Sequence, residues 1–259
     1  MVTAFESVLS AETAPERTLA VVDGTQPEPV LDLFQEAFGS VGADLEFART
    51  EPASDAETAV ALIEDGEVVT TSPMEAVRNA VLLVNSDLYT SGLSGIDKFD
   101  APDVLTELDD QVYTLRGFPE STKEKLLLIV MSRYIEARAL EAGAGRLDAA
   151  FQELSRVTDE YGTERVYQRL ADSGVEVHAY GLPDEDAPGP ASIDGLRVHP
   201  GRDEHYRRSW FVVFSPSTPE ADPAALLAVE TDPSVWRSMW TYDPDTVRRI
   251  RRRIDRRFR

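Results

Sequence analysis

The chain contains no cysteine among its 259 residues. It therefore has no disulfide, no thiolate nucleophile and no cysteine-ligated zinc or iron–sulfur site. Lysine is almost missing too: Lys98, Lys123 and Lys125 are the only ones among 26 basic residues, leaving 26 − 3 = 23 arginines. Long apolar runs are absent. The stretch 126–131 (LLLIVM) falls far short of the ~20 apolar residues that cross a bilayer. The opening MVTAFESVLSAET has neither a basic start nor a long apolar core, so no secretory leader is expected. No GxSxG, P-loop, GxGxxG, kinase or HExxH signature is present. Gly143-Ala144-Gly145 reads as a helix stop rather than a phosphate cradle. The expectation is a chain without catalytic activity, metal or cofactor.

What is abundant is negative charge. Asp and Glu number 47, the net charge is −21 and the isoelectric point is about 4.5. Screening at 1 M salt is short-ranged, roughly 3 Å, so many like charges can share one surface. Carboxylates also keep a protein soluble under such conditions. The composition predicts a soluble protein of a high-salt cytoplasm. In so acidic a chain the clusters at 184–186 and at Asp109-Asp110 read as solvated surface rather than metal ligands.

Residues 1–115 read as an alternating α/β unit. Strands are expected at 18–22 (TLAVV), 45–48, 59–63 and 68–71, the third and fourth joined by the turn Asp65-Gly66. A helix is expected at 27–39, and another begins at Ser72-Pro73-Met74-Glu75, with Ser72 as N-cap and Pro73 at the first position. A Gly/Ser/Asp-rich loop at 86–100, a short helical piece near 103–109 and a strand at 112–115 complete the unit. Strand–helix–strand order predicts helices on a sheet that is at least partly parallel.

The helix at 121–143 organises the second half of the chain. Ser121 with Glu124 three residues on is a capping signature, and Gly143 is a stop. Six consecutive apolar residues at 126–131 span about 600° of helix, so these turns must be covered on every side. The later turns are amphipathic, with Arg133, Glu136, Arg138 and Glu141 among apolar residues. Beyond it, 147–155 carries Leu147, Ala150, Phe151 and Leu154 at helical spacing and is expected to be a helix. So is 163–173, ended by Gly174. Residues 175–180 (VEVHAY) alternate as a strand with Val175, Val177 and Ala179 on one face. A Pro/Gly/acidic loop spans 183–194. Strands are expected at 196–199, 210–214 and 226–231, the last two antiparallel.

A terminal helix starts at Asp243-Pro244. Val247, Ile250, Ile254 and Phe258 form one apolar stripe, and nearly everything else is arginine. Residues 247–259 hold eight arginines and Asp255, a net of +7, so the remaining 246 residues carry −28. Arg248, Arg249, Arg252, Arg253 and Arg256 are candidates for contact with an acidic partner. They also permit a nucleic-acid reading, which the −28 elsewhere opposes. The histidines, His178, His199 and His205, have no metal spacing; His178 faces away from the apolar side of its strand and reads as hydrogen-bonded or solvent-facing. His178, Tyr180, Trp210, Trp236 and Trp240 are candidates for a ligand pocket, although the tryptophans serve equally well as core.

The order KEKLLLIVMSRYIEARALEAGAG, LDAAFQELSR, ERVYQRLADSGVEVHAYGLPD, WFVVFSP and ALLAVETDP followed by WRSMWTYDP resembles the DICT sensory domain, named for its occurrence with diguanylate cyclases and two-component systems. The resemblance covers roughly 116–243, and the whole chain looks like the stand-alone form of halophilic archaea. The expected architecture is α/β (α+β): the N-terminal unit 1–115, a DICT-like mixed sheet with packed helices at 116–243, and an arginine-rich helix at 244–259. The implied function is a cytosolic sensory or signal-transduction module that binds a small ligand or a protein partner and relays its state in trans, or by pairing with a second copy. The alternative is a nucleic-acid-associated transcriptional regulator using the terminal helix. No kinase, cyclase or DNA-binding output is recognisable, and no ligand residue is carried over by the resemblance.

Overall fold

Two mixed sheets meet through one apolar core in the computed structural model, which describes residues 5–10, 17–22, 45–50, 58–87, 96, 99, 101–116, 125–159, 161–183 and 193–258. The smaller sheet has the order β2-β1-β3-β4, from β1 (Arg17–Val22), β2 (Leu45–Thr50), β3 (Ala59–Glu64) and β4 (Glu67–Pro73). β1 and β2 are parallel, as the sequence order predicts, and the rest is antiparallel. Asp65 and Gly66 both take positive φ, +50° and +83°, the twist that a two-residue hairpin turn needs.

The larger sheet has seven strands in the order β5-β11-β10-β9-β6-β7-β8. These are β5 (Tyr113–Arg116), β6 (Gly145–Glu153), β7 (Val175–Leu182), β8 (Arg197–Pro200), β9 (Ser209–Pro216), β10 (Ala224–Asp232) and β11 (Val235–Thr241). β6, β7 and β8 are parallel neighbours; every other pairing in it is antiparallel. The expected join at 115–116 falls inside β5, an edge strand of this sheet.

Both faces of the large sheet are buried. Ala224, Leu226 and Ala228 of β10 enter one core, and Ala225, Leu227 and Val229 enter the other. The described helices are α1 (Glu6–Leu9), α2 (Met74–Asp87), α3 (Asp103–Thr106), α4 (Lys125–Ala142), α5 (Arg156–Asp159), α6 (Tyr161–Asp172), α7 (Glu204–Arg207) and α8 (Pro244–Arg257). The first face is covered by α4 and α6, and α2 packs on α4. The second is covered by α1, α7 and α8. Leu126, Leu127, Leu128, Val130 and Met131 of α4 are buried and Ile129 is partly so, so the run is covered on all but one side. Farther along, Glu136 is buried too. Its Oε2 accepts from Arg133 at 2.6 Å and its Oε1 from the Tyr167 hydroxyl at 2.9 Å, which ties α4 to α6. Gly143, at φ +61°, ends the helix as expected.

Two expectations from the sequence are corrected, and one unassigned segment is placed. Residues 147–155 are not a helix: 145–153 form β6, a central strand buried on both sides. A strand covered on both faces needs no alternation, so its apolar residues fell by chance at helical spacing. The segment around Trp236 and Trp240, to which the sequence pattern assigns no element, is β11, paired to both β10 and β5. Ser72 does not cap α2. It closes β4, and its hydroxyl accepts from the Val104 N–H at 3.2 Å, fastening α3 instead. The expected helix at 27–39, the cap at 121–124 and the acidic cluster at 184–186 lie outside the described residues.

Gly145 sits where α4 turns into β6, at φ +128°, and a Cβ there would lie 2.7 Å from the Ser215 carbonyl oxygen. Gly145→Ala combines backbone strain with overlap against backbone atoms, so denaturant unfolding should show a loss of about 3 kcal/mol. At the sheet junction, the Arg17 guanidinium donates to the Asp109 carbonyl oxygen at 2.6 Å. Burial and then the neighbouring Asp110 charge push the Asp109 carboxyl up to about 6. The folded protein thus binds this proton more readily than the unfolded chain. The ionised carboxylate costs stability above pH 6, and the cost is relieved as pH falls from about 6 towards the ordinary carboxyl value of 3.8. Asp109→Asn should therefore raise the melting temperature at pH 7, with the gain vanishing by about pH 4.

Candidate functional site

Strand alternation divides the expected aromatic pocket. Trp236 and Trp240 point to the α4 face, where Trp240 stacks on Tyr113 at 4.9 Å and donates from Nε1 to the Leu105 carbonyl at 3.2 Å. Trp210 is partly buried on that same face. His178 and Tyr180 lie on the opposite face with the core under α8. The five residues do not line one cavity: the tryptophans serve as core, while His178 and Tyr180 belong to a polar cluster.

That cluster occupies the parallel end of the large sheet. The His178 ring lies parallel to His199, with Nδ1 2.7 Å from the His199 Nε2, and its own Nε2 is 2.8 Å from Glu176 Oε1. Tyr180 stacks on His199 at 4.6 Å. Burial lowers the His178 pKa against the opposing pull of Glu176, while the hydrogen bond from His178, ahead of the Arg197 charge, holds Glu176 below its usual range. A neutral His178 that donates from Nε2 to Glu176 accepts at Nδ1 from the Nε2–H of His199, which satisfies both ring nitrogens.

One strand over, Asp148 is fully buried. Its Oδ1 accepts from the Tyr180 hydroxyl at 2.8 Å and from Arg146. Oδ2 is buried and has no hydrogen-bond partner among the described residues. Burial works against the charge on Arg146, but the hydrogen bond and charge of Asp148 override it and raise its pKa. Arg146 also reaches Asp255 of α8 at 3.1 Å. Asp255 is the one acid among the last thirteen residues of the sequence. Its inward partner therefore fixes which way the arginine helix faces.

The apolar stripe does the rest. Val247, Ile250, Ile254 and Phe258 are all buried, each contributing about 1.5–3 kcal/mol. Phe258 packs against Phe5, Tyr206 and Phe211, and its carbonyl accepts from the Tyr206 hydroxyl at 2.7 Å. Asp243 caps the helix by accepting from the Thr246 N–H at 2.7 Å, as the sequence predicts. Of the candidate contact arginines, Arg248, Arg249, Arg252 and Arg256 are exposed and Arg253 is half-buried. Arg248 pairs with Asp245, Arg249 reaches Thr246 and Arg253 reaches Ser7.

A further opening lies elsewhere. A groove of about 840 Å³ runs between the later turns of α4 and the loop from β9 to β10. Its floor includes Phe99, Tyr134, Ala137, Leu140 and Phe214, and its rim carries Glu141, Glu220 and Asp222. Arg138 lies over the rings of Tyr134 and Tyr242, donates to the Tyr134 hydroxyl at 3.2 Å and reaches Asp222 at 3.4 Å. Burial pushes the Tyr242 pKa up, and its hydroxyl has no hydrogen-bond partner among the described residues. The groove is open to solvent, and the polar groups of its rim make up more of its accessible lining than the apolar floor does. The amphipathic later turns of α4 were the legible signal for it; Phe214 and the loop residues gave none. Among the described residues no group of three His, Asp or Glu is placed to hold a metal ion, and no helix is long and apolar enough to cross a membrane.

No curated protein matches the chain. Among solved structures it is similar to the crystal structure of polyphosphate kinase from Porphyromonas gingivalis, at 9% identity and a TM-score of 0.35. That likeness covers 95% of this chain but spans less than half of the other, 46%, and at this TM-score it carries no argument. The family described as DICT, a sensory domain in diguanylate cyclases and two-component systems, matches residues 103–230. This interval begins at α3 and ends in β10, and it contains α4, the groove walls and the buried cluster on β6 to β8. Residues 103–230 of this chain thus match the DICT sensory domain.

Proposed function

We propose that this chain is a sensory module of a high-salt cytoplasm that binds a small ligand in the α4 groove and passes its state to a partner in trans. The observation that carries the reading is that all but one of the groove's lining residues fall inside the segment matching a family described as sensory. Phe99 alone lies just outside it. The partner is a signalling protein or a second copy of the chain.

β9 offers a route from groove to helix. Phe214 faces the groove, while Phe211 and Val213 of the same strand pack on the opposite side, in the core that includes α8. A ligand that shifts Phe214 would move the platform on which Ile250, Ile254 and Phe258 rest. The chemistry of the groove favours binding over turnover: its rim carboxylates are exposed, and the buried Asp148 and His178 lie on the other face of the sheet.

Two experiments test this. Thermal-shift screening of small metabolites in concentrated KCl should find compounds that stabilise the wild type. Ala137→Trp, which fills the groove from a half-exposed position, should lose that shift while its own melting temperature stays close to the wild-type value. Hits that stabilise both proteins equally would sink the groove as the site. For the relay, Phe258→Ala removes the buried end of the stripe and should destabilise α8 by about 3–5 kcal/mol. Hydrogen exchange should then speed up in α8 before it does in α4. Co-purification from native cells at native salt, with and without residues 247–259, should recover a partner only with the full chain.

A further inference from the structure

Against a chain of 47 acids, the end of α8 gathers positive charge. Arg17, Arg78, Arg133, Arg138, Arg146, Arg156, Arg197, Arg207, Arg208 and Arg248 all pair with Asp or Glu. Arg256 and Arg257, both exposed at the end of α8, pair with no carboxylate among the described residues. They form one wall of a cleft of about 470 Å³; Arg202, Asp203, Glu204 and His205 form the other.

Three arginines face two carboxylates in this cleft, and each of the two acids has a partner of its own. Asp203 accepts the His205 backbone N–H at 2.9 Å as the cap of α7, and Glu204 lies 3.9 Å from Arg207. The backbone of both walls is held in place before any ligand arrives. The Tyr206 hydroxyl holds the Phe258 carbonyl, which locks the end of α8 against α7. Gly201 lets the 201–203 turn approach so closely that a Cβ there would overlap the Tyr206 ring. Nearby, burial and then the charges of Arg249 and Arg256 lower the Arg253 pKa, so the positive charges of this face repel one another.

We propose that this cleft is an oxyanion site, taking inorganic phosphate or the phosphate group of a small monoester between Arg256, Arg257 and Arg202. Guanidinium groups grip phosphate through paired N–H donors, an interaction of contact range that survives the short screening length of concentrated salt better than a diffuse field does. The size of the cleft fits one phosphate-bearing small molecule. A long polyanion is disfavoured by the −28 carried outside residues 247–259. The site stands apart from the groove, on the opposite face of the sheet, and does not depend on the sensory reading.

The test is calorimetric titration of the full chain with phosphate, AMP and adenosine at constant KCl. Phosphate and AMP should bind saturably and adenosine should not. Arg256→Gln and Arg257→Gln should each weaken binding about tenfold or more, the expected loss of a charged hydrogen bond. Arg78→Gln, which removes the same charge from α2, should leave binding unchanged. Equal affinities for phosphate and AMP identify the free ion as sufficient; tighter AMP binding identifies a monoester. Both glutamine positions are exposed, and matched melting curves establish that the variants fold. Absence of saturable binding by either anion, or unchanged affinity in both arginine variants, overturns the proposal.

Discussion

Everything in this molecule depends on the burial of both faces of the seven-stranded sheet. Its inner strands expose no side to water, so each face must find an apolar cover. One cover is α4 with α6 and the other is α8 with α1 and α7. This constraint explains why α4 is apolar on every side in its first turns. It also explains why α8 keeps a strict stripe despite its charge. An arginine-rich helix has little reason to lie on a protein core unless a continuous apolar line holds it there.

Burying both faces creates a second problem, which is where to put polar groups. On the α8 face, Arg146, Asp148, Tyr180 and Asp255 answer one another, and His178 is satisfied by Glu176 and His199. Buried charges cost free energy unless paired and hydrogen-bonded, and such clusters are weak evidence for stability. Here the geometry does something else: it orients α8, because the helix has one inward acid and one buried arginine to meet it. The opposite face has its own polar tie, Glu136 with Arg133 and Tyr167, between α4 and α6. The groove and the anion cleft lie on opposite sides of this frame. The groove opens where α4 becomes amphipathic, and the cleft opens where α8 ends.

Much of this was legible in the residues. Two-residue turn chemistry gave the β3–β4 hairpin, Asp243-Pro244 gave the start of α8, and the stripe from Val247 to Phe258 gave its buried face. The resemblance to DICT rested on packing residues such as the WFVVF strand, and the family match at 103–230 includes them. What failed, failed for a physical reason. Hydrophobic periodicity reports one-sided burial, so β6, buried on two sides, lost its strand period and imitated a helix. Ser72 had the local chemistry of a cap, but α3 supplied a competing donor from 32 residues away.

The sequence by itself determined composition, charge and most of the elements, because these depend on neighbours within a turn or a hairpin. It also determined that α8 would have an apolar side and an arginine side. Only the tertiary structure decided which residues share a site. Strand alternation sent Trp236 and Trp240 to one face and His178 and Tyr180 to the other. Chain crossing brought Phe214 to α4, and Arg256 and Arg257 to the turn before α7. Such meetings depend on strand order and helix placement across more than about fifty residues of chain, where no local pattern carries the information.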